Sequence, residues 1–258
     1  ILIIMTSKKN FNYYAELYDA FYKNKDYEIE IENLLKRLRN KGFKKFNTII
    51  EFGCGTGSYS KILSENCVEI ISTDLSSEMI EIAKNRLKSF KNIKIEQADL
   101  TKIKKFKTSE LIISLFHVFS YLNSVEELEK AMDNVSLNLK KNGIFVFDFW
   151  CASGQVMNKL ENRIKKVNTN ELSVIKKVTF NHLALEEIVK VYYEFEVYKN
   201  KSLINTFNEV HSMKYWSLET IKLVLDSKGF KIIDTFDIIS GSRINNDSWG
   251  ATIIARKL

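Results

Sequence analysis

The 258 residues contain no proline, and glycine, histidine and cysteine number only nine, three and three. Three cysteines without paired spacing exclude a disulfide framework and argue against a zinc site, and they fit a reducing, cytoplasmic compartment. No run approaches transmembrane length, so no membrane partner is expected. The apolar start Ile1-Leu2-Ile3-Ile4 is far too short to span a bilayer, and ahead of Met5 it reads as an upstream remnant rather than a signal peptide. Arginine is sparse, and no stripe interleaves basic with aromatic residues, which speaks against a nucleic-acid groove. The net charge of +7 comes from scattered lysines, with short clusters such as Lys102-Ile103-Lys104-Lys105 reading as solvated faces. Most of that charge reads as a coding bias toward Lys, Asn and Ile. Attraction to phosphate-bearing ligands is the alternative.

What the chain does have is 45% apolar residues, enough for one large α/β domain with an insertion. The segment Ile49-Ile50-Glu51-Phe52-Gly53-Cys54-Gly55-Thr56-Gly57 is an apolar strand that ends near an acid and runs into three glycines at alternate positions. Glycine there lets bare backbone approach a ligand. The spacing is not that of a dinucleotide turn, and the acid would repel a pyrophosphate, so it suits a ligand with a cationic end. A helix is expected from Ser58 to Asn66, then a strand from Val68 that ends at Asp74. An acid at the end of the second strand accepts hydrogen bonds from ribose hydroxyls. Asp74 can equally cap the helix expected over Ser76–Lys88. A third strand, Ile93–Gln97, leads into Ala98-Asp99-Leu100. The fourth, Leu111–His117, is apolar throughout, as a buried parallel strand should be. A helix Val125–Leu139 and an Asn142-Gly143 turn precede a further strand, Ile144–Phe149. Glu51, Asp74, Asp99 and His117 thereby converge on one crevice at the carboxyl ends of the strands.

The glycine turn with its acid resembles motif I of the class I S-adenosylmethionine-dependent methyltransferases. Asp74-Leu75-Ser76-Ser77-Glu78-Met79 resembles a second stretch of that family. The resemblance implies a Rossmann-like seven-stranded α/β sheet whose last strand is antiparallel, here with an inserted antiparallel β meander. It implies S-adenosylmethionine as cofactor, S-adenosylhomocysteine as product, and no metal. Glu51, Gly53, Cys54, Gly55, Gly57, Asp74 and Leu115 would form the cofactor site. Leu75 and Met79 would flank the adenine, and Ala98, Asp99 and Leu100 would read its edge. For Met79 the alternative is helix packing.

The remaining segments are read from patterning. Residues 1–45 form a helical cap, with a helix Tyr27–Asn40 that buries Ile31, Leu34, Leu35 and Leu38. Tyr14, Tyr18 and Tyr22 fall on one helical face. They form either an aromatic packing stripe or, for Tyr14 and Tyr22, hydroxyls that reach the cofactor carboxylate or the substrate. Residues 46–154 and 216–258 make the cofactor-binding domain. Residues 155–215 form the insertion, expected after the fourth parallel strand, as a lid over the carboxyl end of the sheet or a homodimer contact. Its strands are placed at Val174–Asn181, Glu187–Lys199 and Leu203–Tyr215, with a hairpin turn at Lys199-Asn200-Lys201-Ser202. Ser217 caps a helix Leu218–Lys228, and strands Phe230–Ile239 and Trp249–Lys257 follow as an antiparallel edge, joined by the polar loop 240–249.

Two further stretches resemble the dTDP-amino-sugar N-methyltransferases: Leu17-Tyr18-Asp19-x-x-Tyr22-x-x-Lys25-Asp26-Tyr27, and Glu209-Val210-His211-x-Met213-x-x-Trp216-Ser217. That resemblance implies a small anionic acceptor, a nucleotide-linked sugar or phosphorylated precursor for surface-glycan biosynthesis. It places Arg243 against the sugar or phosphate; otherwise Arg243 is an exposed loop residue. Methyl transfer to a hydroxyl needs a general base, and His117 is the best-placed candidate, with Tyr14 beside it. A strand-end histidine that holds local backbone is the alternative. His211 is expected at the surface, the alternative being that it reaches the acceptor from a lid. Other functions left open are RNA or protein methylation, and cofactor binding without turnover.

Overall fold

The structure, a computed structural model, describes residues 4–6, 11, 14–152, 160–169, 171–245 and 248–258. Residues 1–3 of the apolar start, 155–159 of the expected insertion and 246–247 of the C-terminal loop lie outside them. Seven strands form the main sheet: β2 (Phe46–Phe52), β3 (Cys67–Asp74), β4 (Ile93–Gln97), β5 (Ser109–Ser114), β6 (Leu139–Trp150), β11 (Phe230–Phe236) and β12 (Gly250–Lys257). Their order is β11-β12-β6-β5-β2-β3-β4. β2 to β6 run parallel, and β12 pairs antiparallel with both β6 and β11. The antiparallel member is therefore β12 alone, held inside the sheet, while β11 forms the edge.

Both faces of this sheet are covered, so its central strands are apolar on both sides. Ile49, Ile50 and Phe52 of β2 and Leu111, Ile112 and Ile113 of β5 are all buried. One face packs on α5 (Val125–Asn138) and α6 (Leu218–Ser227), the other on α2 (Tyr27–Asn40) and α3 (Ser58–Leu63). Four of the described helices begin where a capping side chain satisfies a first-turn amide, while α3 follows Gly57 with no side-chain cap. Asp26 accepts from the Ile29 amide at 2.9 Å, and Ser217 accepts from Thr220 at 3.0 Å. At α4 (Ser77–Leu87) the cap is Ser76, whose hydroxyl accepts from Met79 at 3.1 Å, which leaves Asp74 to support the turn before it.

Several boundaries differ from the sequence reading. The helix after the glycine turn stops at Leu63, and a single 3-10 turn, Ser64–Asn66, completes it. β6 starts at Leu139, and the Asn142-Gly143 pair survives as an irregularity within it, with Asn142 at φ 62°. The insertion follows the fifth parallel strand, not the fourth. It adds β7 (Arg163–Asn168) to β8 (Ser173–Leu183), β9 (Ile188–Lys199) and β10 (Ser202–Lys214). Patterning missed β7 because its residues are mostly exposed on both faces, which erases the period-two signal. The hairpin turn at Asn200-Lys201 has both residues at positive φ, 49° and 67°, as a tight two-residue β-turn requires. A strand near the chain start, β1 (Ile4–Thr6), pairs parallel with β10, giving a five-stranded second sheet of order β1-β10-β9-β8-β7. Between the sheets lies α1 (Ala15–Phe21). It packs through Tyr18 and Phe21 against Met79 of α4 and against Val174, Phe195 and Phe207 of the second sheet.

Candidate active site

The glycine turn and Asp74 form one unit. The amides of Gly53 and Cys54 both donate to the Thr73 carbonyl, at 2.7 and 2.8 Å, which locks the loop onto the end of β3. Asp74 then accepts from the Gly55 amide at 2.8 Å and the Ser76 amide at 2.9 Å. Burial pushes the Asp74 carboxyl above its ordinary range, opposed by these amide hydrogen bonds. The glycines have different reasons to be glycine. All three sit at positive φ, but a Cβ on Gly53 or Gly57 would strike protein, Val118 at 2.4 Å and Leu87 at 2.5 Å respectively. A Cβ on Gly55 would meet nothing within 4 Å. Gly55 is thus the position that presents bare backbone to open space, the cradle a nucleoside cofactor requires.

Glu51 does not face that space. It is 1% exposed and accepts from the hydroxyls of Ser60 and Ser72, which ties α3 to β2 and β3 beneath the loop. Burial raises its carboxyl to about 7, against the hydrogen bonds of the two serines.

At the end of β5 the backbone turns through two successive left-handed residues, Phe116 at φ 69° and His117 at φ 64°. Such conformations in bulky residues cost about 1–3 kcal/mol each and persist only where the surroundings impose them. Asp148, buried on β6, imposes this one: its Oδ1 accepts from the His117 amide at 2.7 Å, and its Oδ2 lies 3.5 Å from His117 Nδ1. Gly250 makes room for the ring, since a Cβ there would sit 2.9 Å from His117 Cε1. Asp148 was not anticipated from sequence, although an acid in the middle of Ile144-Phe145-Val146-Phe147-Asp148-Phe149 was the visible signal.

The N-terminal tyrosines meet the second sheet around Lys176 of β8. Its ammonium nitrogen lies 2.6 Å from the Tyr14 hydroxyl and 4.4 Å from the Phe21 ring, 5.2 Å from the Tyr193 ring and 5.4 Å from the Tyr22 ring. His211, expected at the surface, is instead 1% exposed. Its Nδ1 is 2.8 Å from the Tyr121 hydroxyl and its Nε2 is 3.0 Å from Glu209, which also accepts from the Phe11 and Tyr14 amides. Glu209 therefore fastens the N-terminal segment to the second sheet.

Gly55, Asp74, His117, Tyr121, Lys176 and His211 line one cavity of about 460 Å³ between the two sheets. Of the residues expected at the site, Tyr14, Tyr22, Gly53, Gly55, Asp74, Met79, Leu115 and His117 reach it. Cys54 borders a small annex that shares Gly53 and Gly55. Glu51, Gly57, Leu75, Ala98, Asp99, Leu100 and Arg243 do not line the cavity. Asp99 is occupied by the Thr101 amide and hydroxyl at 2.9 and 2.7 Å, Ala98 and Leu100 pack on the core, and Arg243 is exposed. Leu75 stands 65% exposed beside Asp74. Sequence reasoning missed Tyr121, Asp148, Arg163, Lys165, Lys176 and Tyr193, all brought in by the second sheet or by residues with no local motif.

This architecture is the class I S-adenosylmethionine-dependent methyltransferase fold. Residues 22–235 match the methyltransferase domain family, and the chain belongs to that family. An uncharacterized protein of Methanocaldococcus jannaschii is 27% identical over 246 residues, covering 94% of this chain and 81% of that protein. The dTDP-3-amino-3,4,6-trideoxy-alpha-D-glucopyranose N,N-dimethyltransferase of Streptomyces venezuelae is 24% identical over 139 residues, covering 53% and 57% of the two chains. Among solved structures, an S-adenosylmethionine-dependent methyltransferase of Clostridium acetobutylicum superposes with a TM-score of 0.80 at 21% identity, covering 96% of this chain and 99% of that one. Streptomyces venezuelae DesVI gives 0.79 at 18%, covering 95% and 98%.

Proposed function

We propose that this chain methylates a nitrogen or oxygen of a small polar acceptor, a nucleotide-linked amino sugar or a phosphorylated precursor used in glycan assembly. The observation that carries the reading is the joint cavity. Gly55 and Asp74 open onto it from the cofactor half, while His117, Tyr121 and the second sheet enclose the rest. The amino-sugar methyltransferases among the relatives and structural neighbours support the acceptor class.

Bound S-adenosylmethionine supplies an electrophilic methyl group on a sulfonium. Asp74, with acceptor capacity left beyond its two amides, fits the ribose hydroxyls, and Gly55 fits the close approach of the nucleoside. The chain's own contribution is alignment and exclusion of water, because in-line displacement is largely a matter of positioning. An amine acceptor attacks through its neutral lone pair, and the new ammonium then gives up a proton. A hydroxyl acceptor gives it up during attack. In both cases the imidazole of His117, whose backbone amide Asp148 holds, takes it as general base. Release of S-adenosylhomocysteine from a panel of amino-sugar nucleotides, sugar phosphates and RNA, with wild type and His117→Ala, tests the reading. Turnover with an amino-sugar nucleotide that His117→Ala lowers at least about a hundredfold is expected. Turnover confined to RNA refutes it.

A further inference from the structure

The second sheet carries a concentration of positive charge that the cofactor half does not explain. Arg163 and Lys165 lie two residues apart on β7, hence on one face, and Lys165 pairs directly across the ladder with Lys176 of β8. Like charges placed opposite each other in a sheet are destabilising. All three side chains line the cavity, whose lining contains a single carboxylate among the described residues, Asp74. Among the described residues, no carboxylate forms an ion pair with Arg163, Lys165 or Lys176. The Lys176 amine is also enclosed, its side chain held among Tyr14, Phe21, Tyr22 and Tyr193, with the residue only 3% exposed.

We propose that Arg163, Lys165 and Lys176 form a subsite for a phosphoryl group of the acceptor. The inference rests on the methyltransferase reading for what shares the cavity. A cation-rich wall repels a sulfonium, so these side chains do not serve the reacting end of the cofactor. Three converging cations match a group of two or more negative charges, a phosphate or diphosphate, better than a single carboxylate. Lys176 adds a proton-linked element. Burial first, then the charges of Lys165 and Arg163, lower its amine to about 7. The other titratable groups facing it are the hydroxyls of Tyr14, Tyr22 and Tyr193, all raised by burial and uncharged at neutral pH. A phosphoryl anion beside it restores its charge, so binding takes up a proton.

Calorimetry on the full chain saturated with S-adenosylhomocysteine tests this, with inorganic phosphate, inorganic pyrophosphate and thymidine diphosphate as probes. Pyrophosphate is expected to bind, and more weakly as salt rises. Arg163→Gln/Lys165→Gln, at two exposed positions, is expected to weaken it roughly tenfold or more while S-adenosylhomocysteine affinity stays unchanged. Thymidine diphosphate binding as pyrophosphate does marks a subsite that reads phosphoryl groups alone; tighter binding marks a nucleoside-linked acceptor. Pyrophosphate affinity unaltered in the double variant overturns the proposal. So does a loss of S-adenosylhomocysteine affinity with pyrophosphate binding intact, because the cations would then hold the cofactor's carboxylate. At pH 8, titrations in buffers of different ionisation enthalpy should show Lys176→Met taking up fewer protons than wild type, by up to about one. An unchanged proton count overturns the part assigned to Lys176. Failure of wild type to bind S-adenosylhomocysteine at all refutes the methyltransferase reading instead, a separate result.

Discussion

Asp148 anchors the turn that carries His117: its Oδ1 accepts from the His117 amide at 2.7 Å, while its Oδ2 stands 3.5 Å from the ring's Nδ1, which makes no hydrogen bond among the described residues. The pair links the left-handed turn after β5 to the neighbouring strand β6 and so sets where the imidazole stands.

Asp148→Asn keeps an acceptor for the amide but removes the charge behind the ring. Turnover should fall by about ten- to a hundredfold, while affinity for S-adenosylhomocysteine is retained. Steady-state kinetics across pH 6–9 would check this; a variant with wild-type kcat at every pH would assign Asp148 to backbone support alone.

Asp74→Ala removes the acceptor that Gly55 and Ser76 share. Calorimetry should show cofactor affinity reduced roughly tenfold or more, equivalent to about 1–3 kcal/mol for an unpaired buried donor and a lost ribose contact. Circular dichroism should show an intact fold, because the loop keeps its two hydrogen bonds to Thr73.

Gly55→Ala and Gly57→Ala should separate binding from folding. The methyl group of the first enters open space, so the chain should fold, lose about 1 kcal/mol to the left-handed backbone, and bind S-adenosylhomocysteine poorly. The second drives a methyl group against Leu87, and thermal melts should show a larger loss, roughly 1–3 kcal/mol.

Glu51 makes stability depend on pH. Its folded-state carboxyl titrates at about 7, above the 4.5 of the free side chain, so between those values the folded chain holds a proton that the unfolded chain has released. The contribution of this group is therefore fully present below about pH 4.5 and declines as pH rises to about 7, by roughly 3 kcal/mol in all. Urea titrations from pH 5 to 8 should show that decline in wild type and a flatter curve in Glu51→Gln, whose side-chain carbonyl can still accept from Ser60 and Ser72.

Much of the fold could be read in the sequence because its central parallel strands are largely apolar runs ended by polar residues, and four of the described helices start at a short capping side chain. Asp74, Gly55 and His117 were readable for the same reason: each sits at a strand end or turn, where local spacing places it. The same strand-end reasoning also put Glu51 and Asp99 in the crevice, where Glu51 is instead buried beneath the loop and Asp99 caps its own turn; Arg243, read from resemblance, stays exposed. Asp148, Tyr121 and Lys176 have no local signature. Asp148 lies inside an otherwise apolar buried run near the end of β6, and Lys176 belongs to a sheet whose register is set by pairing between strands. The period-two pattern does not say which face of that sheet turns toward the first.

The order of the strands bears on how the chain is made. β12 follows β11 in the sequence yet lies between β11 and β6, so one flank of β6 stays bare on the ribosome until the residues from Gly250 onward emerge. Chains released early would carry Phe145, Phe147 and Phe149 on a strand with one open edge. Premature termination should therefore yield clumping, chaperone-bound polypeptide rather than a smaller working enzyme.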